Sequence, residues 1–104
     1  MPEPRLAPIL CDLDGVVWLS HEPIAGSVEA IAALRSAGHR VLFVTNNSYA
    51  KVAQQEETLN SIGIPAVGDV LTSSGAAATL LKPGQRVLVA GGPGVVEAVE
   101  SVGA

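Results

Sequence analysis

The sequence predicts the α/β class, a Rossmann-like parallel sheet built from βαβ crossovers. Three observations carry this. Short β-branched apolar runs recur at 8–12, 40–45, 69–72 and 86–90, too short for helices and bounded by turn residues. Segments with apolar residues at helical spacing lie between and after them. The runs are apolar throughout rather than alternating, as in strands covered on both faces.

The first run, Pro8 to Asp12, ends in acids and predicts the first strand. Val17 to Pro23 follows, longer than a usual strand-to-helix loop. Val28, Ile31 and Leu34 after Ser27 predict the first helix, and Gly38 stands at its C-terminal cap. Arg40 to Thr45 (RVLFVT) predicts the second strand. Val52, Leu59 and Ile62, closed by Gly63, predict the second helix. Asp69 to Thr72 (DVLT) gives a third strand, and Ala76 to Leu81 after Ser74 gives a third helix. Arg86 to Ala90 (RVLVA) predicts a fourth strand. Val95, Val99 and Val102 after Pro93 predict a fourth helix ending at Gly103. The alternation then stops in mid-pattern, so the chain reads as the front portion of something longer.

The 104 residues hold 6 Lys+Arg against 10 Asp+Glu, a formal charge of −4, with 48% hydrophobic and 3% aromatic residues. That composition suits one small domain whose core is many small side chains. An acidic balance without a basic run argues against nucleic acid. Asp12 cuts the first apolar stretch short, so no signal peptide or membrane span is expected, and the chain reads as cytoplasmic. The single cysteine, Cys11, excludes an internal disulfide and any CxxC metal pair, and reads as a small buried hydrophobe.

In open α/β sheets, ligands bind beyond the carboxyl ends of the strands. There the first strand ends in Asp12-Leu13-Asp14-Gly15 and the second in Thr45-Asn46-Asn47-Ser48. Acids at i and i+2 of an extended chain can share a side, which suits a hard cation such as Mg²⁺. A hydroxyl, two amides and the backbone N–H groups opening a helix suit a phosphate. Taken alone, Asp14-Gly15 between apolar flanks is a β-hairpin signal, and Thr45 to Ser48 is a helix N-cap. The second polar cluster, at the end of the neighbouring strand, favours a site.

These residues carry a resemblance. DLDGVVW at Asp12 to Trp18, PIAGSVEAI, VTNNS from Val44, DVLTS from Asp69 and RVLVAGGPGVVEAV resemble the haloacid dehalogenase superfamily, in the order of NagD-like phosphatases with a large inserted cap. The match covers essentially the whole chain. The resemblance implies a Mg²⁺-dependent phosphoric monoester hydrolase acting on a small phosphorylated metabolite through an aspartyl-phosphate. Asp12 matches the nucleophile and Asp14 the general acid/base. Mg²⁺ would be held by the Asp12 carboxylate and the Asp14 backbone carbonyl. Thr45 matches the hydroxyl that holds the transferred phosphate, with Asn46 beside it, while Asn47 shapes the loop or meets substrate, and Val16 to Pro23 would be the flap after the nucleophile.

The same resemblance implies groups not found here: a lysine balancing the phosphate and a later GD-type acidic motif. Lys51 and Lys82 read as surface charges, and Asp69 after Gly68 stands at the wrong end of its strand. Residues 1–82 are then the first half of the core, and 83–104 the start of the cap domain. The 104 residues alone are expected to have little activity. Family members pair through the cap, implying a homo-oligomer for the full-length protein. Sugar phosphates, glycerol phosphate, phosphoglycolate, pyridoxal phosphate and nucleotides all stay open as substrates.

Two other readings compete. Gly91-Gly92-Pro93-Gly94 could cradle a pyrophosphate, making a dinucleotide-binding module, but its spacing fits neither GxGxxG nor a Walker loop. A non-catalytic α/β interaction domain would leave Asp12 and Asp14 unexplained. His21 and His39 read as surface residues. Trp18 fits either a cover over the site or core packing.

Overall fold

The computed structural model describes residues 6–104. Its elements in order are β1 (Ile9–Asp12), β2 (Trp18–Leu19), β3 (Glu22–Pro23), α1 (Ser27–Ser36), β4 (Val41–Thr45), α2 (Val52–Ser61), β5 (Val70–Thr72), α3 (Ser73–Ala78) and α4 (Pro93–Ser101). β1, β4 and β5 form a parallel sheet in that order, and β2 and β3 form a separate antiparallel ribbon. The α/β class and the parallel crossovers therefore stand as predicted.

Both crossovers step the same way across the sheet, so right-handed connections put α1 and α2 on one face. The register lines up Ile9 with Val41 and Cys11 with Phe43, and then Phe43 with Val70. These residues meet Ile31 of α1 and Leu59 of α2 in one core, joined by Leu13, Val17, Trp18 and Ile64. Full burial of a side chain such as Phe43 or Leu59 contributes about 1.5–3 kcal/mol. The expectation of strands covered on both faces is corrected on the other side. Leu10 remains 65% exposed and Leu71 49%, and the molecule is a slab 18 Å thick.

The fourth predicted strand, 86–90, is not formed: the segment has no regular secondary structure and no strand partner among the described residues. Val87 and Val89 are half-buried while Leu88 is 98% exposed, so one side of the segment packs and the other does not. β-propensity alone cannot supply a neighbour to bond with. The third helix starts and stops earlier than predicted. The Thr72 hydroxyl accepts the Gly75 N–H at 3.0 Å and caps it, while Leu80 and Leu81 continue only as i→i−3 turns before Pro83.

The helix ends obey the glycine signals. Gly38, Gly63 and Gly103 have φ of 96°, 96° and 79°. After α1 the Gly38 N–H reaches the Arg35 carbonyl at 3.0 Å, and the His39 N–H reaches Leu34 at 3.1 Å.

Candidate functional site

Three parallel strands deliver their carboxyl ends to one edge of the slab, with Asp12 beside Val44 and Thr45 beside Thr72. Beyond that edge lies an open cavity of about 760 Å³ whose polar wall is Asp12, Asp14, Thr45, Asn46, Thr72 and Ser73. Four of the five predicted site residues thus meet in one place.

The first strand end is built around Leu13. Its side chain is fully buried, and its carbonyl accepts N–H groups from Val16, Val17 and Trp18 at 3.2, 2.9 and 3.2 Å. Gly15, at φ 84°, lets the chain reverse, and its N–H bonds the Trp18 carbonyl at 2.8 Å. The Leu13 N–H in turn donates to Asp12 Oδ1 at 2.9 Å, which fixes that carboxylate. The Asp14 carboxylate accepts the Trp18 indole N–H at 3.1 Å. Trp18 is 1% exposed, so it packs in the core and does not lie over the cavity.

The flap is the β2–β3 hairpin. Its turn is not Asp14-Gly15 but Ser20-His21, both with positive φ, 50° and 64°. Two consecutive left-handed residues are the geometry of a tight primed turn, normally signalled by Asn-Gly, so Ser-His gave no sequence cue. The His21 ring lies 5.1 Å from that of Trp18. The Ser27 hydroxyl bonds the Val17 carbonyl at 2.9 Å and ties α1 to the flap.

The second strand end departs from the N-cap expectation. α2 opens only at Val52, so Thr45 to Ser48 form a loop. Thr45 Oγ1 accepts the Asn47 N–H and Asn47 Oδ1 accepts the Tyr49 N–H, both at 3.1 Å. These side chains satisfy the local backbone instead of a helix end. Thr45 keeps its O–H free to donate into the cavity. Asn47 uses its side-chain carbonyl within the loop and is not among the residues that line the cavity. The Ser73 hydroxyl reaches the Asn46 carbonyl at 3.4 Å, and Ser73 and Thr72 join the wall although no motif in the sequence marks them as site residues.

The acidic side chains on the cavity wall are those of Asp12 and Asp14. Among the described residues no three His, Cys, Asp or Glu cluster to hold a metal by themselves. One or two carboxylates with waters and a phosphate are a normal set for Mg²⁺, so the donors present fit that ion. Among the described residues no lysine or arginine lines the cavity. Lys51 and Lys82 are exposed, as predicted for surface charges. Asp69 lies at the far end of β5, where it pairs with Arg35 at 3.4 Å and Arg40 at 3.2 Å. His39 Nδ1 sits 3.1 Å from the Ala7 carbonyl, away from the cavity. Burial, and secondarily the Asp12 charge, raise the Cys11 thiol pKa.

At the glycine turn 91–94 one of the amides a pyrophosphate would need is already taken by the protein. The Gly94 N–H is taken by the Tyr49 carbonyl at 2.8 Å, and Gly92 lies against the Tyr49 ring. Among the described residues no helix is long and apolar enough to cross a membrane.

A family model described as haloacid dehalogenase-like hydrolase matches residues 9–104. The chain is 39% identical over 100 residues to the D-glycerol 3-phosphate phosphatase of Mycobacterium tuberculosis, covering 91% of this chain and 28% of that one. It is 37% identical over 101 residues to phosphoglycolate phosphatase 2 of Arabidopsis thaliana, covering 90% and 34%. The glycerol phosphate phosphatase of M. tuberculosis in complex with magnesium superposes with a TM-score of 0.81 at 37% identity, over 91% of this chain and 30% of that one. The chain thus spans about a third of the length of these relatives.

Proposed function

The chain belongs to the haloacid dehalogenase-like hydrolases, and from that membership we propose that it carries the nucleophile half of a Mg²⁺-dependent phosphatase site. The observation that carries the reading is the meeting of Asp12, Asp14, Thr45 and Asn46 around one cavity at the carboxyl ends of three parallel strands.

In this reading one oxygen of Asp12 is held by the Leu13 N–H and the carboxylate attacks phosphorus. The Asp12–phosphorus bond forms as the ester P–O bond breaks, and Asp14 gives a proton to the departing alkoxide. Asp14 then takes a proton from water, which attacks the same phosphorus and frees Asp12 and inorganic phosphate. The free Thr45 O–H and the Asn46 amide donate to the phosphoryl oxygens as charge shifts during transfer. Mg²⁺, held by the Asp12 carboxylate and the Asp14 backbone carbonyl, would supply neutralisation of the phosphoryl charge.

The substrate is a small phosphorylated metabolite, a class supported by relatives named for glycerol 3-phosphate and phosphoglycolate. With no cationic side chain on the cavity wall among the described residues, further charge balance comes from groups other than these, so the 104 residues alone are expected to turn over slowly. The test is p-nitrophenyl phosphate hydrolysis by the whole protein with Mg²⁺. Loss of turnover in Asp12→Asn, with chelator-sensitive turnover in wild type, supports the reading. Full activity in Asp12→Asn overturns it.

A further inference from the structure

We propose that Trp18 is a positioning residue for Asp14, an inference that rests on the phosphatase reading above and assigns a division of labour between the two Asp14 oxygens. Its indole Nε1–H donates to Asp14 Oδ1 at 3.1 Å. Asp14 is itself exposed, whereas Trp18 is 1% exposed and locked among Leu13, Val17, Phe43 and the rest of the core.

A solvent-facing aspartate ordinarily samples several χ1 wells. Here one of its oxygens is tied to a donor that cannot itself rotate freely. The indole N–H is a donor only and accepts no proton, so it can hold Oδ1 without entering the chemistry. Oδ2 is left as the oxygen that gives and takes the proton. The short link between the two residues makes the arrangement rigid. The Trp18 N–H bonds the Leu13 carbonyl and the Trp18 carbonyl accepts the Gly15 N–H at 2.8 Å, so the backbone on both sides of Asp14 is bonded to the residue that holds its side chain. The antiparallel pairing of Trp18 with Pro23 extends the same support into the flap. The tryptophan therefore holds the carboxylate at the cavity from the protein side, through a part-buried bond.

The chain contains one tryptophan, so Trp18→Phe identifies the indole N–H resonance in spectra of ¹⁵N-tryptophan protein. Asp14→Ala, an exposed change that leaves the core intact, is expected to shift that resonance upfield and speed its exchange with solvent about tenfold or more. Asp14→Asn, which keeps an acceptor oxygen, is expected to restore most of the protection. Mg²⁺ with beryllium fluoride, a stand-in for the acyl phosphate, is expected to leave the indole protected. In the whole protein Trp18→Phe is expected to lower kcat for p-nitrophenyl phosphate about tenfold with KM unchanged.

An indole indifferent to Asp14→Ala, an indole released when beryllium fluoride binds, or full kcat in Trp18→Phe overturns the inference. If Trp18→Phe does not fold, the wild-type and Asp14 spectra decide it alone. If Asp12→Asn is inactive while Trp18→Phe is fully active, only this inference falls. If Asp12→Asn is active, the phosphatase reading falls and takes this inference with it.

Discussion

The Glu97 carboxylate of α4 accepts the Val52 backbone N–H of α2 at 3.1 Å, so the first helical amide of one helix is capped by a side chain of another. Four hydrogen-bonding groups at each helix end need such partners, and Lys51 at the N-cap position offers no side-chain acceptor. Beside it the Gly94 N–H bonds the Tyr49 carbonyl at 2.8 Å, and a Cβ at Gly94 would run into the Ser48 and Ala50 carbonyl oxygens. The start of α4 thus clamps the loop that leads away from Thr45 and Asn46.

Two substitutions test the clamp. Glu97→Ala is expected to cost about 1 kcal/mol, the usual value of a lost cap. Gly94→Ala places a Cβ onto backbone oxygens that cannot swing aside, and is expected to cost about 1–3 kcal/mol. Urea midpoints at unchanged slope measure both. A neutral Gly94→Ala would contradict the close approach.

Asp69 links Arg35 and Arg40 at the end of β5 remote from the cavity. Asp69→Asn should lower stability by about 1 kcal/mol at low salt and less at high salt, because the pairs are partly exposed. It should leave the Mg²⁺ response at Asp12 unchanged, and an altered response would give Gly68-Asp69 a metal role that its position denies.

Ser20 carries a positive φ of 50° that an L side chain adopts at a cost, and asparagine tolerates that region better. Ser20→Asn is expected to raise stability by about 0.5 kcal/mol, read from a thermal melt. His21 is left alone in this test because its ring packs near Trp18. A lower melting temperature would argue against the primed turn.

Much of this arrangement is legible in the residues. RVLFVT could only be a buried strand, and Gly38 and Gly63 end helices because few other residues take left-handed φ. The strand-end position of Asp12 and Thr45 followed from the βα alternation. What escaped was tertiary. Thr45 and Asn47 have the right atoms both to cap a helix and to fold a loop on itself, and the choice depends on where α4 presses on residues 48–51. Arg86 to Ala90 has strand composition, but pairing requires a neighbour that composition cannot supply. Trp18 reads equally as cover or as core until its depth is known, and its bond to Asp14 depends on the turn at Leu13 to Trp18.

The raised Cys11 thiol pKa gives a pH signature. A higher value in the folded state favours the neutral thiol, so this contribution is fully present below the unfolded thiol pKa, about 8.5, and is lost as pH rises toward the folded value. The stability gap between wild type and Cys11→Ala should narrow on going from about pH 7.5 to about 9.5. A gap that widens would reverse the sign.

In the proposed phosphatase site, Asp12 and the Thr45 loop hold one phosphoryl group between them. Backbone amide shifts on titrating the protein with Mg²⁺ and beryllium fluoride test it most directly, in wild type and Asp12→Asn. The account predicts coupled shifts at Asp12 to Gly15 and at Thr45 to Asn47 that vanish in the mutant. Shifts that persist in Asp12→Asn, or a folded wild type in which neither segment moves, would contradict it.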